Sequence, residues 1–301
     1  MVSRKFGAIT KRILAAIVMI PIAVDVLYIG SPYVEVLAVV VGGLLAWEWA
    51  NLLSGAKASA YVSAYMISLA VSLWSYNFAV LSTVMAVTAL VVWFVAEKEK
   101  HRSLITLGVP YISIGIGSLI WLYRCFDPSE SNFDPQYNYS FMMTLWFFLM
   151  VWSMDIGGLV VGCNLRGPKL APKISPNKTW SGLFGGILLS ISVSIIFMYV
   201  CTVVMDIPFY DFSNFTHISF TYSPLHVRYV WNVNNQILYA VLAGAVAVLA
   251  QIGDLIESAI KRKVNVKDSS KLIPGHGGVF DRVDGLIFAA PFVYLLFVSM
   301  R

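Results

Sequence analysis

Charge is scarce in this sequence: Asp, Glu, Lys and Arg make up 12% of its 301 residues, against 58% hydrophobic residues. A water-soluble core of that length cannot hide so much apolar surface. A mean hydropathy of +0.76 makes the bilayer the expected solvent. Cysteine is nearly absent, and Cys125, Cys163 and Cys201 stand alone, without metal-ligand spacing or a disulfide framework. Of four histidines, His217 and His226 lie among Tyr, Phe and Ser and read as ordinary surface. There is no internal repeat, which argues against an ion-coupled transporter built from inverted halves. No small-residue cleavage site follows the first apolar stretch, which is therefore expected to stay as an anchor. The N-x-[ST] triplets at Asn138, Asn177 and Asn214 are short enough to arise by chance.

What is present is a series of long apolar runs. A span needs roughly 20 mostly apolar residues, and nine stretches qualify: 13–29, 34–53, 61–75, 78–96, 104–123, 141–162, 182–205, 237–260 and 283–299. The expected fold is an all-α polytopic membrane protein, one integral domain over 1–301. Residues 13–162 read mainly as scaffold and 163–301 as the catalytic helices and loops. Eighteen of the 21 Lys and Arg residues fall on one side of this arrangement, with only Arg124, Arg228 and Arg301 opposite. That bias predicts a cytoplasmic N-terminus and an external C-terminus. The pI near 9.0 is then a matter of topology and of anionic headgroups, and nothing in it requires nucleic acid.

The polar residues are unevenly spread. Asp25 and Glu48 interrupt the scaffold, and Glu48, between Trp47 and Trp49, reads first as an interfacial belt residue. Asp155 closes the sixth span, and the loop after it gathers Lys169, Lys173, Ser175, Lys178 and Thr179 around Pro172 and Pro176. Such a loop could present cations and hydroxyls to phosphate, or could merely follow the positive-inside rule. The eighth span ends in Asp254, Glu257, Ser258 and Lys261, of which Asp254, Ser258 and Lys261 form a stripe at helical spacing. Beyond it lie Arg262, Lys267, Asp268, Gly275, His276, Gly277, Gly278, Asp281, Arg282 and Asp284. Hard carboxylate oxygens beside cations and backbone-freeing glycines suggest a metal–phosphate site.

The block from Ser258 to Asp284 resembles the signature of the phosphatidate cytidylyltransferases, also called CDP-diacylglycerol synthases. The match runs through Ser258, Lys261-Arg262, Lys267-Asp268, Ser270, Pro274, His276-Gly277-Gly278, Asp281-Arg282 and Asp284. The 169–182 loop and the run Ala46-Trp47-Glu48-Trp49 look like the same family, while Leu159 and Ser181 depart from its pattern. The resemblance implies transfer of CMP from CTP to phosphatidic acid with Mg2+, leaving open a second cation, in phospholipid biosynthesis. With no organellar transit peptide in the sequence, a bacterial inner membrane is the expected location, and an internal eukaryotic membrane the alternative.

On that reading Asp254 and Asp281 hold the metal, with Asp284 and Asp268 as further ligands. Lys261, Arg262, Lys267 and Arg282 neutralise phosphates, and Ser258 and Ser175 offer hydroxyls. Asp155, Lys173, Lys178, Thr179, Gly277 and Gly278 belong to substrate binding. His276 reads as an acid or base, or as a phosphate contact that holds the turn. Expected partners are CTP, phosphatidic acid and membrane lipids, with a homodimer allowed. A CTP-dependent lipid kinase, or a cytidylyltransferase for another lipid phosphate, is the alternative.

Overall fold

The computed structural model describes residues 19–54, 58–75, 77–126, 138–204, 233–273 and 277–299. Their helices run in chain order as α1 (Met19–Ile29), α2 (Tyr33–Ser54), α3 (Ala58–Trp74), α4 (Phe78–Val95), α5 (Arg102–Cys125), α6 (Tyr139–Leu165), α7 (Trp180–Tyr199), α8 (Val233–Lys263) and α9 (Phe280–Ser299). Among the described residues seven helices are long and apolar enough to cross a membrane, and α1 and α3 are shorter apolar helices. The protein is an all-α membrane protein with one amendment. The 169–182 segment, read from sequence only as a loop, forms an antiparallel hairpin of β1 (Lys169–Ala171) and β2 (Ser175–Thr179).

The surface identifies the solvent. Helix α4 buries only Leu81 and Val92 of its 18 residues, yet its mean hydropathy is 2.4. Phe78, Phe94, Leu159 and Leu188 are each more than 60% exposed. Apolar exposure on this scale is stable only against lipid.

Because lipid offers no hydrophobic drive between helices, association rests on close packing. Glycines provide it. A Cβ on Gly157 would meet the backbone of Gly185 and Gly186, and one on Gly186 would meet the carbonyl and sulfur of Met154, so α6 and α7 lie nearly backbone to backbone. Helix α5 is the hub: it packs on α2, α3 and α4 on one side and on α6 and α9 on the other. Two apolar clusters meet along it, one built chiefly from α1–α5 and the other from α5, α6, α8 and α9. Buried polar groups pair across helices, as in Ser113 to Ser68 at 2.9 Å and Trp146 to Ser194 at 2.9 Å.

Two helix ends differ from expectation in ways that build the site. Helix α8 continues to Lys263 and, at about 1.5 Å per residue, carries its polar stripe past the apolar run. Asn265, at φ 58°, then ends it: the Val266 N–H donates to the Lys261 carbonyl, a left-handed cap. Helix α7 starts at Trp180 because Thr179, in extended conformation, caps it by accepting from the Gly182 N–H at 3.1 Å.

The close packing yields a contrast. Gly186→Ala should destabilise the protein by about 1–3 kcal/mol through overpacking. Gly43→Ala, whose Cβ would meet only Met66 at 3.7 Å or more, should be neutral or slightly stabilising. Thermal unfolding in detergent reads both.

Candidate active site

At one end of the bundle the end of α8, the start of α9, the end of α6, the β-hairpin and the 264–273 loop converge. Helix periodicity aligns Asp254, Glu257, Ser258 and Lys261 on one side of α8. Lys261, only 8% exposed, bonds Glu257 at 2.7 Å and Asp281 of α9 at 2.5 Å. Its ammonium thus sits between two carboxylates, which makes burial of all three groups tolerable. Asp254 pairs with Lys178 of β2, and Ser258 Oγ lies 3.4 Å from Asp254 Oδ1, a long contact.

Oxygens of Asp254, Glu257 and Asp284 approach within 4.8 Å of one another. Three carboxylates so close repel unless a cation lies among them, and their hard oxygens are the donor set a small divalent ion takes. These residues fit a metal. Asp155 of α6, open to the same space, lies in the field of Asp254 and Asp284, with Lys178 and Arg282 also near it.

Asp281 is engaged differently. Its Oδ2 accepts from the Gly278 N–H at 2.7 Å, and from the Ser269 N–H and hydroxyl at 3.0 Å each, while Oδ1 faces Lys261. It ties the 264–273 loop to α9 and adjoins the metal-fitting trio through Lys261. Gly277, at φ +82°, makes the turn before it, where a Cβ would strike the Asp281 carboxylate.

Cations line the rim. Arg262 donates to the carbonyls of Ile174 and Val266 at 3.2 and 3.1 Å, fastening α8 to the hairpin turn. Lys173 at that turn, Lys267, Asp268 and Arg282 are exposed, and Ser175 is half-buried in β2. Thr179 is spent on capping α7. His276 lies outside the described residues.

Beside this polar cluster an apolar groove of about 540 Å3 runs between α5, α8 and α9, walled among others by Leu107, Tyr111, Ala259, Ile260 and Phe288. Lys263 lines it too, at the end of α8.

A profile of the cytidylyltransferase family matches residues 10–300. The chain belongs to the cytidylyltransferase family. It is 36% identical over 221 residues to the phosphatidate cytidylyltransferase of Rickettsia bellii (strain RML369-C), covering 73% of this chain and 79% of that one. To the phosphatidate cytidylyltransferase of Brucella suis biovar 1 (strain 1330) it is 31% identical over 288 residues, 94% and 91% of the two chains.

Within this cytidylyltransferase the structure adds two acids that sequence reasoning gave no task. Glu257 completes the metal-fitting trio, and its spacing of three from Asp254 and four from Lys261 was the available signal. Glu48 of α2 is 1% exposed and accepts bonds from the signature loop 221 to 232 residues away. The family resemblance of the run Ala46–Trp49 was the available signal, without naming a job, and the burial of Glu48 replaces the belt reading.

Removing the central cation tests the electrostatics. Lys261→Met leaves Glu257 and Asp281 facing each other in a buried setting and should cost about 3 kcal/mol or more of stability. Lys261→Arg should cost less, as read by thermal unfolding in detergent.

Proposed function

We propose that the protein is a phosphatidate cytidylyltransferase, transferring CMP from CTP to phosphatidic acid to give CDP-diacylglycerol and pyrophosphate. The observation that carries the reading is the juxtaposition of Asp254, Glu257 and Asp284 with Lys178 and Lys261 beside an apolar groove. Two phosphate-bearing substrates, one water-soluble and one lipid, need that combination. The names of the relatives support it. For a lipid kinase acting with CTP, nothing in the geometry speaks specifically.

The nucleophile is a phosphate oxygen of phosphatidic acid, already an anion, so no strong base is required. It forms a bond to the α-phosphorus of CTP as the bond to the bridging oxygen of the β-phosphate breaks, and the electron pair leaves with pyrophosphate. The barrier comes from bringing two polyanions together and from charge on the leaving group. Asp254, Glu257 and Asp284 would hold Mg2+, with Asp281 adjoining and Asp268 at the loop's outer side. When bound, the ion supplies Lewis-acid polarisation of phosphoryl oxygens and neutralises their charge.

The remaining work falls to the protein's own groups. Lys178, Lys173, Lys267, Arg262 and Arg282 draw phosphates to the rim. Lys178 exchanges its Asp254 partner for phosphate when substrate arrives. Ser258 and Ser175 donate hydroxyls, Asp155 bounds the nucleotide side, and Gly277 and Gly278 let the backbone approach. His276 is assigned a phosphate contact by the resemblance alone. The groove receives acyl chains of the lipid substrate, with Lys263 at its headgroup end.

In the membrane we propose nine spans, with the N-terminus in the cytoplasm and the C-terminus outside. The active end then faces the cytoplasm of a bacterial cell across its inner membrane. The asymmetry of Lys and Arg supports this orientation. So does Glu35, which pairs with Arg124 at 3.0 Å, since it accounts for a cation on the sparse, external side.

The decisive assay incubates purified protein with phosphatidic acid, CTP and Mg2+ and measures CDP-diacylglycerol and pyrophosphate. Release of CDP instead would mean a kinase, and absence of both products would sink the reading. Asp281→Asn should stay folded and inserted yet lose most transferase activity, because an amide nitrogen cannot accept from Lys261, Ser269 or Gly278. Ala259→Trp, filling the groove, should raise KM for long-chain phosphatidic acid by about tenfold, on the order of 1.4 kcal/mol. KM for CTP should not move.

A further inference from the structure

We propose that Glu48 is a positioning residue for the transfer: from scaffold helix α2 it sets the register of the α9 start and the 269–270 loop, and through them the facing of Asp281 and Lys261. Its activity readout rests on the cytidylyltransferase reading; the geometric argument does not.

The hydrogen bonds are unusually complete. Glu48 Oε1 accepts from the Ser270 hydroxyl at 2.7 Å and the Val279 N–H at 2.8 Å. Its Oε2 accepts from the Ser269 hydroxyl at 3.0 Å and the Phe280 N–H at 2.8 Å. Val279 and Phe280 open α9, where the first N–H groups have no helical carbonyl to meet. Helix starts usually find that acceptor in a neighbouring residue. Here the acceptor comes from another helix and carries full negative charge, which the positive end of the α9 dipole favours. Among the described residues no Lys or Arg forms an ion pair with Glu48, so the two backbone N–H groups and the Ser270 hydroxyl, with Ser269 as a shared fourth donor, hold its charge.

Two further features tie the carboxylate to the site. A Cβ on Gly278 would fall on both Glu48 oxygens and on Ser269 Oγ, so the glycine is where the backbone closes over Glu48. Ser269 Oγ lies 3.0 Å from Glu48 Oε2 and 3.0 Å from Asp281 Oδ2, and its one proton serves one of them at a time. A chain of contacts thus runs from Glu48 through Ser269 and Asp281 to Lys261 and Glu257. Glu48 itself is kept in place by its neighbour Trp49, which donates to the Leu104 carbonyl at 3.0 Å and packs on Tyr111 and Phe280.

The arrangement makes glutamine a sharp probe. Each Glu48 oxygen meets one backbone N–H, which cannot turn away, so either flip of a Gln amide sets its NH2 against a backbone donor. Purified Glu48→Gln should lower kcat by about tenfold to a hundredfold, the range for groups that orient others, with KM for CTP little changed. Hydrogen exchange should speed up at Val279 and Phe280, and not across α3 or α6. A kcat within about twofold of wild type, or unaltered exchange at those two amides, would overturn the proposal.

Should Glu48→Gln fail to accumulate, Ser269→Ala/Ser270→Ala, which removes two donors but no charge, decides. A lowered kcat with faster exchange at Val279 and Phe280 supports the role, and unchanged values refute it. If the wild-type protein makes no CDP-diacylglycerol, the exchange measurement still judges the clamp, and only the assignment of the reaction falls.

Discussion

Negative charge held in a nearly dry place, and the groups that keep it there, set the terms for the rest of this protein. Five acids, Glu48, Asp254, Glu257, Asp281 and Asp284, gather at one end of the bundle with the more exposed Asp155 beside them, and there burial of an unbalanced charge costs several kcal/mol. The groups that balance them differ in kind. Lys261 serves Glu257 and Asp281, Lys178 serves Asp254, and hydroxyls with helix-start N–H groups serve Glu48. Asp254, Glu257 and Asp284 remain close together, and a divalent cation is the natural complement. Lys178, which balances Asp254, is also one of the cations proposed to meet phosphate.

The scaffold exists to hold that arrangement against lipid. Close glycine contacts between α6 and α7 bring Asp155 and the hairpin toward α8, and α5 brings α2 against the start of α9. The Trp49, Tyr111 and Phe280 rings form an apolar layer between Glu48 and the groove. The polar cluster and the apolar groove therefore lie side by side, separated by one thickness of side chain. For a reaction that joins a soluble nucleotide to a lipid phosphate, that adjacency is the functional requirement.

Most helices could be read directly from hydropathy, because in lipid each span must satisfy its own backbone and therefore leaves a long apolar run. The stretch 78–96 became α4 almost residue for residue. Short-range polar order was less legible. Lys169 to Thr179 has no strand alternation, yet it pairs as a hairpin whose turn is held by Arg262 and whose last residue caps α7. Of the site, Asp254, Ser258, Lys261, Asp281 and Asp284 stood out by density and spacing, and the family signature reinforced them.

Composition and apolar run length determine by themselves that this is a membrane protein, and the motif from Ser258 to Asp284 marks the family it resembles. Those properties are local or additive, so a linear chain displays them. Which acids share a cation, and which one clamps the loop, are decided by side chains that meet across as many as 232 residues of sequence. Glu48 is the clearest case. Its neighbours in sequence are tryptophans of a packing helix, and its partners are donors at the start of α9. Only folding brings an isolated carboxylate to the N–H groups that need it.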